Sequence, residues 1–419
     1  MEKKEKKHRL SKILAVLVMI ALLATFAGPK FILSAATQPE VAEEYAYSEA
    51  FETTYDAVRT QLTQRVAALE AEGKTVQAYS YPIDEAEGLY IDNVYLPSTD
   101  AQTNLIVLTT GVHGIEGYIG AVMLEVFFTD IYPQLDTKNT GVLVVANVNP
   151  YGMKNMRRYN ENNVDLNRNF ILDWENFDLA TNQDYPKVES FLGPKKPIRN
   201  ALWHEAGFYL HLAKEAVTVG ADTVSNALLG GQYEYPEGVY YGGTGDEAST
   251  VYLKDVFNRC LHGSYENIVH IDIHSGYGPR YNMVIFNSVY ETMTEAESQA
   301  AFGYENIIAY DSEAFYATTG DTTDFFYRLA EQEQTDKALF STCFEFGTVG
   351  DSFMDSITSL KYTVDENRQH WYPTDDEVSA EIVRQRYLEL FYPTEREWRE
   401  KAVEDFTAAT KGVLNAKLQ

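Results

Sequence analysis

Apolar residues cluster in four short runs, at 76–81, 90–96, 105–109 and 141–148, that read as β-strands. Between the last two, residues 117–131 carry apolar side chains at helical spacing. The run at 105–109 is apolar almost throughout, which predicts a strand covered on both faces. The strand–helix–strand order predicts an α/β domain. Further strands are expected at 268–273, 283–287 and 339–346. An amphipathic helix is expected over 41–72, with Leu62, Val66 and Leu69 on one face, and a charged packing helix over 377–418. The pattern as a whole predicts a single α/β domain with its sheet buried on both faces. No repeat, low-complexity linker or second domain is visible.

Residues 173–250 are less regular. The stretch GGQYEYPEGVYYGGTGDE, rich in glycine and tyrosine, reads as a long ordered loop near the surface. Such a loop either lines a binding site or decorates the exterior. At the N-terminus, MEKKEKKHRLSK leads into the apolar run ILAVLVMIALLATFAG and then PKFILSAATQ. A basic start, an apolar stretch and small residues at Ser34 and Ala36 predict a secretory signal over 1–36, cut after Ala36. The alternative is an uncleaved anchor, since the apolar stretch is almost long enough to span a bilayer. Either way the body, 37–419, is expected outside the cytoplasm, secreted or held at the outer face of the membrane.

With 62 acidic against 34 basic residues, the formal charge of −28 argues against nucleic acid or an anionic membrane surface as a partner. A membrane is expected only through the N-terminal segment. Cys260 and Cys343 could pair or stay as buried thiols. No CxxC pair exists, so a thiolate metal site is out.

Where the run at 105–109 ends, TTGVHGIEGY sets His113 and Glu116 three residues apart among Gly111, Gly114 and Gly117. H-x-x-E alone is a weak pattern and equally a polar turn. Its context strengthens it, because ligands on α/β folds collect at the carboxyl ends of strands. A catalytic zinc takes three protein ligands and leaves a position for water. Among the eight histidines, His274 repeats the context: it ends IVHIDIH and leads into SGYG. Asp272 either orients it or makes a structural hydrogen bond, and His270 reads as a core histidine. The glycines would keep the strand end open to water and a carbonyl. Between these points, NPYGMKNMRRYNENNVDLNRNF concentrates arginines. They form either a carboxylate-binding fork or ion pairs with surface acids. Glu345 interrupts the apolar strand in STCFEFGTVG. A buried carboxylate left unpaired is costly, so it needs a partner or a task such as general base.

In this order the pieces resemble the zinc carboxypeptidases of the M14 type, which implies a single catalytic α/β domain built on a mixed, mostly parallel twisted sheet flanked by helices. The closest resemblance is to a bacterial branch described as a domain of unknown function, DUF2817. Its HGxEGxxG, NPYG, RR-x-NE-x-NVDLNRNF and GQY…P-x-G-x-YYGG features are readable between Gly111 and Gly350. The aspartoacylase and succinylglutamate desuccinylase branch shares the HxxE, R-Y, DLNR and D-x-H elements. The resemblance implies that His113, Glu116 and His274 hold one Zn²⁺ and that Glu345 is the general base. It also implies that Asn167 and Arg168 clamp a substrate carboxylate. It places a mobile substrate-contacting tyrosine at Tyr316, in YATTGDTTDFFY, although the spacing to Glu345 is longer than in the digestive enzymes. Arg158, ahead of Tyr159, is preferred to Arg157 as oxyanion donor. Thr323, at the position that reads the terminal side chain in related enzymes, is neutral and disfavours a strict preference for basic ends.

The long insertion at about 173–262 is expected to wall the cleft. The implied activity is that of an exported zinc hydrolase cutting an amide bond next to a free carboxylate, a metallocarboxypeptidase acting on peptides or cell-wall peptides. The alternatives are an N-acyl amino acid deacylase, and a catalytically silent binding protein.

Overall fold

The computed structural model describes residues 2–37, 44–312 and 318–418. Eight strands form one mixed sheet: β1 (Gln77–Asp84), β2 (Leu89–Leu96), β3 (Asn104–Thr110), β4 (Thr140–Ala146), β5 (Asn267–Ser275), β6 (Met283–Asn287), β7 (Ile307–Ile308) and β8 (Ala338–Phe346). Their order is β1-β2-β4-β3-β5-β8-β6-β7. The central four, β4-β3-β5-β8, run parallel, as do β6 and β7, while the remaining pairs are antiparallel.

Every residue of β3 and β5 is buried. Along β3 the side chains alternate between two cores. Ile106 and Leu108 join the cluster around helices Gly117–Val126 and Arg396–Lys417. Leu105 and Val107 join the one around helices Ala248–His262 and Thr322–Gln332. Covering both faces explains why this strand reads as a continuous apolar run. The polar residues that β5 carries into this interior are partnered. His270 meets the Thr109 hydroxyl at 2.9 Å through Nε2 and the Ser341 hydroxyl at 2.8 Å through Nδ1.

Several expectations need correction. Within 41–72 the α-helix covers only Tyr55–Ala71, because the Thr54 hydroxyl caps it by accepting from the Ala57 amide at 3.3 Å. A separate 3₁₀ turn precedes it at Ser48–Ala50, and 41–43 lie outside the described residues. The segment 377–418 is two helices, Glu377–Phe391 and Arg396–Lys417, parted around Pro393, which cannot continue the first. The helix at 117–131 is α over Gly117–Val126 and widens to a π-turn at Phe127–Ile131.

The irregular region contains helices Tyr185–Leu192, Ala201–Thr218 and Ala221–Leu229. Its glycine- and tyrosine-rich stretch is not a surface loop: Tyr233, Val239 and Tyr241 are buried. Tyrosine carries a large apolar ring beneath its hydroxyl, so a polar-looking sequence packs as core. Strand β7, two residues long, is too short to leave a pattern. Cys260 and Cys343 are free thiols. The N-terminal helix, Glu2–Ala36, includes a stretch, Val18–Ala36, long and apolar enough to cross a bilayer.

Candidate active site

Because β3, β5 and β8 are parallel neighbours, their carboxyl ends meet at one edge of the sheet, and His274 lies in register with Glu345. The chain leaves β3 through Gly111, at φ +71°, into a 3₁₀ turn at Gly114–Glu116. That turn is clamped from outside: the Gly114 amide donates to the Arg158 carbonyl and the Ile115 amide to the Arg157 carbonyl, at 3.2 and 2.9 Å. A Cβ on Gly114 would fall 2.2 Å from the backbone of Gly152 and Met153. Gly114 and Gly117 therefore admit the helix Pro150–Lys154 rather than solvent, which corrects the reading of these glycines as an open doorway.

The result is a buried triad. Ligand-type atoms of His113, Glu116 and His274 all lie within 4.8 Å of one another. His113 Nδ1 is 2.8 Å from Glu116 Oε1, His274 Nδ1 is 2.9 Å from Glu116 Oε2, and the two Nδ1 atoms are 3.2 Å apart. The other ring nitrogens are held by carboxylates, His113 Nε2 by Asp165 at 3.1 Å and His274 Nε2 by Asp272 at 2.9 Å. Two imidazoles and a carboxylate aimed at one point, each imidazole oriented by a further carboxylate, fit a divalent cation. Asp272 is itself fixed by the Thr109 and Thr322 hydroxyls.

The electrostatics agree with that fit. Burial works against the charge of Glu116, but His113 and then His274 outweigh it and hold its pKa at about 2. Burial likewise opposes the His274 cation, and Asp272 and Glu116 outweigh it, holding its pKa well above the ordinary value. Half-buried Glu345 goes the other way. Burial and the Glu116 charge push it up to about 8, against His274, the Tyr277 amide and Arg158. The Tyr277 amide donates to Glu345 at 3.0 Å.

The neighbouring arginines part company. Arg157 turns to Glu366 at 2.7 Å and Asn163 at 2.9 Å. Arg158 faces the cleft, with Nε on Asp165 at 2.8 Å, a terminal nitrogen 3.5 Å from Glu116, and the Tyr240 ring 5.7 Å away. Asn167 and Arg168 line the same cleft, a cavity of about 570 Å³ that also reaches His274 and Glu345. Thr322 donates to Asn167 Oδ1 at 3.0 Å through its amide. Buried Arg168 donates to the Asn167 carbonyl at 2.9 Å, while its Nε has no hydrogen-bond partner among the described residues.

The tyrosine-rich stretch positions Arg168: the Tyr233 hydroxyl donates to its carbonyl at 2.8 Å. Gly231 and Gly320 press so close that a Cβ on either would overlap it. The wall beside Thr323 is acidic, since Asp321 and Asp324 also line the cleft. Burial and the nearby Asp321 push Asp324 up to about 7. Tyr316 lies outside the described residues.

Asp165 is the site residue the sequence reading passed over. Its signal was its place two residues ahead of Asn167 in NVDLNRNF, where it caps the turn Leu166–Arg168.

The chain belongs to the family described as protein of unknown function DUF2817, whose model matches residues 51–405. Among curated proteins none matches it. Solved structures with a similar arrangement include the carboxypeptidase A from Helicoverpa armigera, at 14% identity and TM-score 0.43, covering 85% of this chain and 79% of that one. Another is bovine thrombin-activatable fibrinolysis inhibitor in complex with tick carboxypeptidase inhibitor, at 15% identity and TM-score 0.42, covering 81% and 99%. A third is the succinylglutamate desuccinylase from Chromobacterium violaceum, at 13% identity and TM-score 0.33, covering 76% and 73%.

Proposed function

We propose that this chain is a zinc-dependent hydrolase that cuts an amide bond next to a free carboxylate, most simply a metallocarboxypeptidase acting on peptides or cell-wall peptides outside the cytoplasm. One observation carries the reading. The cleft lined by His113 and His274, with Glu116 buried against both, also holds Glu345 and two arginines, Arg158 and Arg168.

A zinc ion among the three ligands would supply Lewis acidity to water and to the scissile carbonyl. Glu345 takes a proton from the attacking water and passes it to the leaving amine. Arg158, braced by Asp165, faces the oxygen that becomes negative in the tetrahedral state. Losing one such donor costs about 10²–10³ in rate. Arg168, whose buried Nε has no partner among the described residues, and Asn167 hold the substrate carboxylate. Tyr316 closes over the bound substrate. Residues 1–36 are a signal that leaves or an anchor that stays.

A second substrate class is kept because Ser225, Leu228 and Tyr240 of the insertion help line the cleft. A small N-acyl amino acid would fit such a site. The test is a panel of peptides with free and amidated C-termini plus N-acyl amino acids, assayed with wild type and Glu345→Gln. Cleavage of free but not amidated peptides, lost in Glu345→Gln, supports the carboxypeptidase reading. Cleavage of N-acyl amino acids alone moves the assignment to a deacylase. No turnover of any substrate with zinc present leaves a binding protein.

A further inference from the structure

The insertion presents a surface that the cleft does not use. Helix Ala201–Thr218 buries Phe208 and Glu215 against the domain. On its outer side Trp203 is 52% exposed, Leu210 73% and Val217 85%, with exposed Ala206, Gly207 and Ala213 between them. These positions recur every three or four residues, so they form one stripe along the helix that is apolar but for exposed Lys214 between Leu210 and Val217. Neither acidic residue of the helix interrupts it: Glu205 is paired with Lys361 and Arg386, and Glu215 with Lys214 and His211.

Two further observations say what covers this stripe. The segment leading into the helix reverses the sign of the chain, with Lys195, Lys196 and Arg199 all exposed in a protein of net charge −28. The apolar N-terminal helix Glu2–Ala36 lies against the same element. The Trp203 indole donates to the Thr25 hydroxyl at 3.0 Å and the Asn200 side chain to the Thr25 carbonyl at 2.9 Å. On that helix Leu22, Leu23, Phe26 and Phe31 stay exposed. The two helices thus offer one continuous apolar surface with a basic flank and an indole at its border.

We propose that this face of the insertion seats on a lipid bilayer containing anionic phospholipid. Trp203, Leu210 and Val217 enter the boundary between headgroups and acyl chains, and Lys195, Lys196 and Arg199 meet the headgroups. Lipid fits better than a second copy of the chain, because the stripe adjoins the apolar N-terminal helix and its flanking Lys195, Lys196 and Arg199 complement anionic headgroups locally, against the charge of the body as a whole. The seating extends membrane contact beyond the N-terminal segment and holds the insertion wall of the cleft at the bilayer.

The test uses the full-length chain on vesicles of phosphatidylcholine and phosphatidylglycerol, the acyl chains brominated for one series. Wild-type tryptophan emission should be quenched by the brominated lipid, and Trp203→Phe should lose most of that quenching. An environment-sensitive fluorophore on Val217→Cys, with labelled wild type as the blank for Cys260 and Cys343, should shift to the blue on these vesicles. The shift should weaken severalfold when Lys195, Lys196 and Arg199 are replaced by glutamine. A probe at 217 blind to vesicles would overturn the proposal even if Trp203 were quenched, since contact would then come from the N-terminal helix alone. A blue shift without lipid that grows with protein concentration would also overturn it, in favour of a second copy.

Discussion

Replacing Asp165 with asparagine probes how the site is held together. The buried carboxylate accepts three bonds: His113 Nε2 at 3.1 Å, Arg158 Nε at 2.8 Å and the Asn167 amide at 3.1 Å. Burial opposes its charge, but Arg158 and then His113 hold its pKa well below the ordinary carboxylate value. Asparagine keeps the shape but has one oxygen, so its NH₂ must face either His113 or Arg158. Facing Arg158, it sets donor against donor and leaves the guanidinium with Glu116 at 3.5 Å. Removing one partner of a buried charge pair costs about 3–5 kcal/mol. Disturbing the carboxylate that orients a ligand histidine weakens metal binding about 10–100-fold, or ~1.4–2.7 kcal/mol.

Competition for zinc against a chromophoric chelator at pH 7 measures the second effect, and urea denaturation the first. The pH dependence has a fixed sign. A depressed folded pKa gives stabilisation that is complete above the unfolded value of about 3.9 and lost as pH falls below it. The stability gap between wild type and Asp165→Asn should therefore close below about pH 4. Unchanged zinc affinity together with unchanged stability would refute the bracing role.

Three further outcomes follow from the same geometry. Arg168→Met should raise KM for free-carboxylate peptides about 10–150-fold in steady-state assays, the worth of one charged hydrogen bond, with amidated peptides uncleaved by wild type and variant alike. His270, whose pKa burial pushes down to about 4, is held neutral. Its stabilisation, ~3 kcal/mol, is complete above its unfolded pKa of about 6.5 and lost as pH falls toward 4; His270→Asn should remove that slope from denaturation curves taken between these values. Gly114→Ala sets a Cβ 2.2 Å from the Gly152 backbone. It should lower stability by at least ~1–3 kcal/mol and weaken zinc binding with it, read by thermal unfolding and chelator competition.

The parts of the molecule legible in the sequence are those where one physical demand dominates. β3 is covered on both faces, so its pattern admits little else. His274 stands out because it ends its strand and leads into glycine as His113 does, Glu345 because it breaks an apolar strand, and the register of β5 with β8 sets them side by side. What could not be read depends on partners distant in the chain. Arg157 and Arg158 differ by one position, and only Glu366 on helix Phe353–Trp371 and Asp165 beside the triad decide which of them reaches the cleft. The tyrosines at 233 and 241 read as surface because their hydroxyls look polar, while their rings fill a core against the arginine loop. The glycines of HGIEG were assigned the wrong work, since Gly114 admits the backbone of Gly152 and Met153 and Gly117 the Met153 side chain.

The most direct test of the central claim is metal content. The chain purified from cells and equilibrated with zinc should hold one ion per molecule by mass spectrometry of the elements, and His274→Ala should hold none while keeping its circular dichroism. Wild type that folds and binds no metal, or His274→Ala that still binds one ion, would contradict a metal centre built on His113, Glu116 and His274.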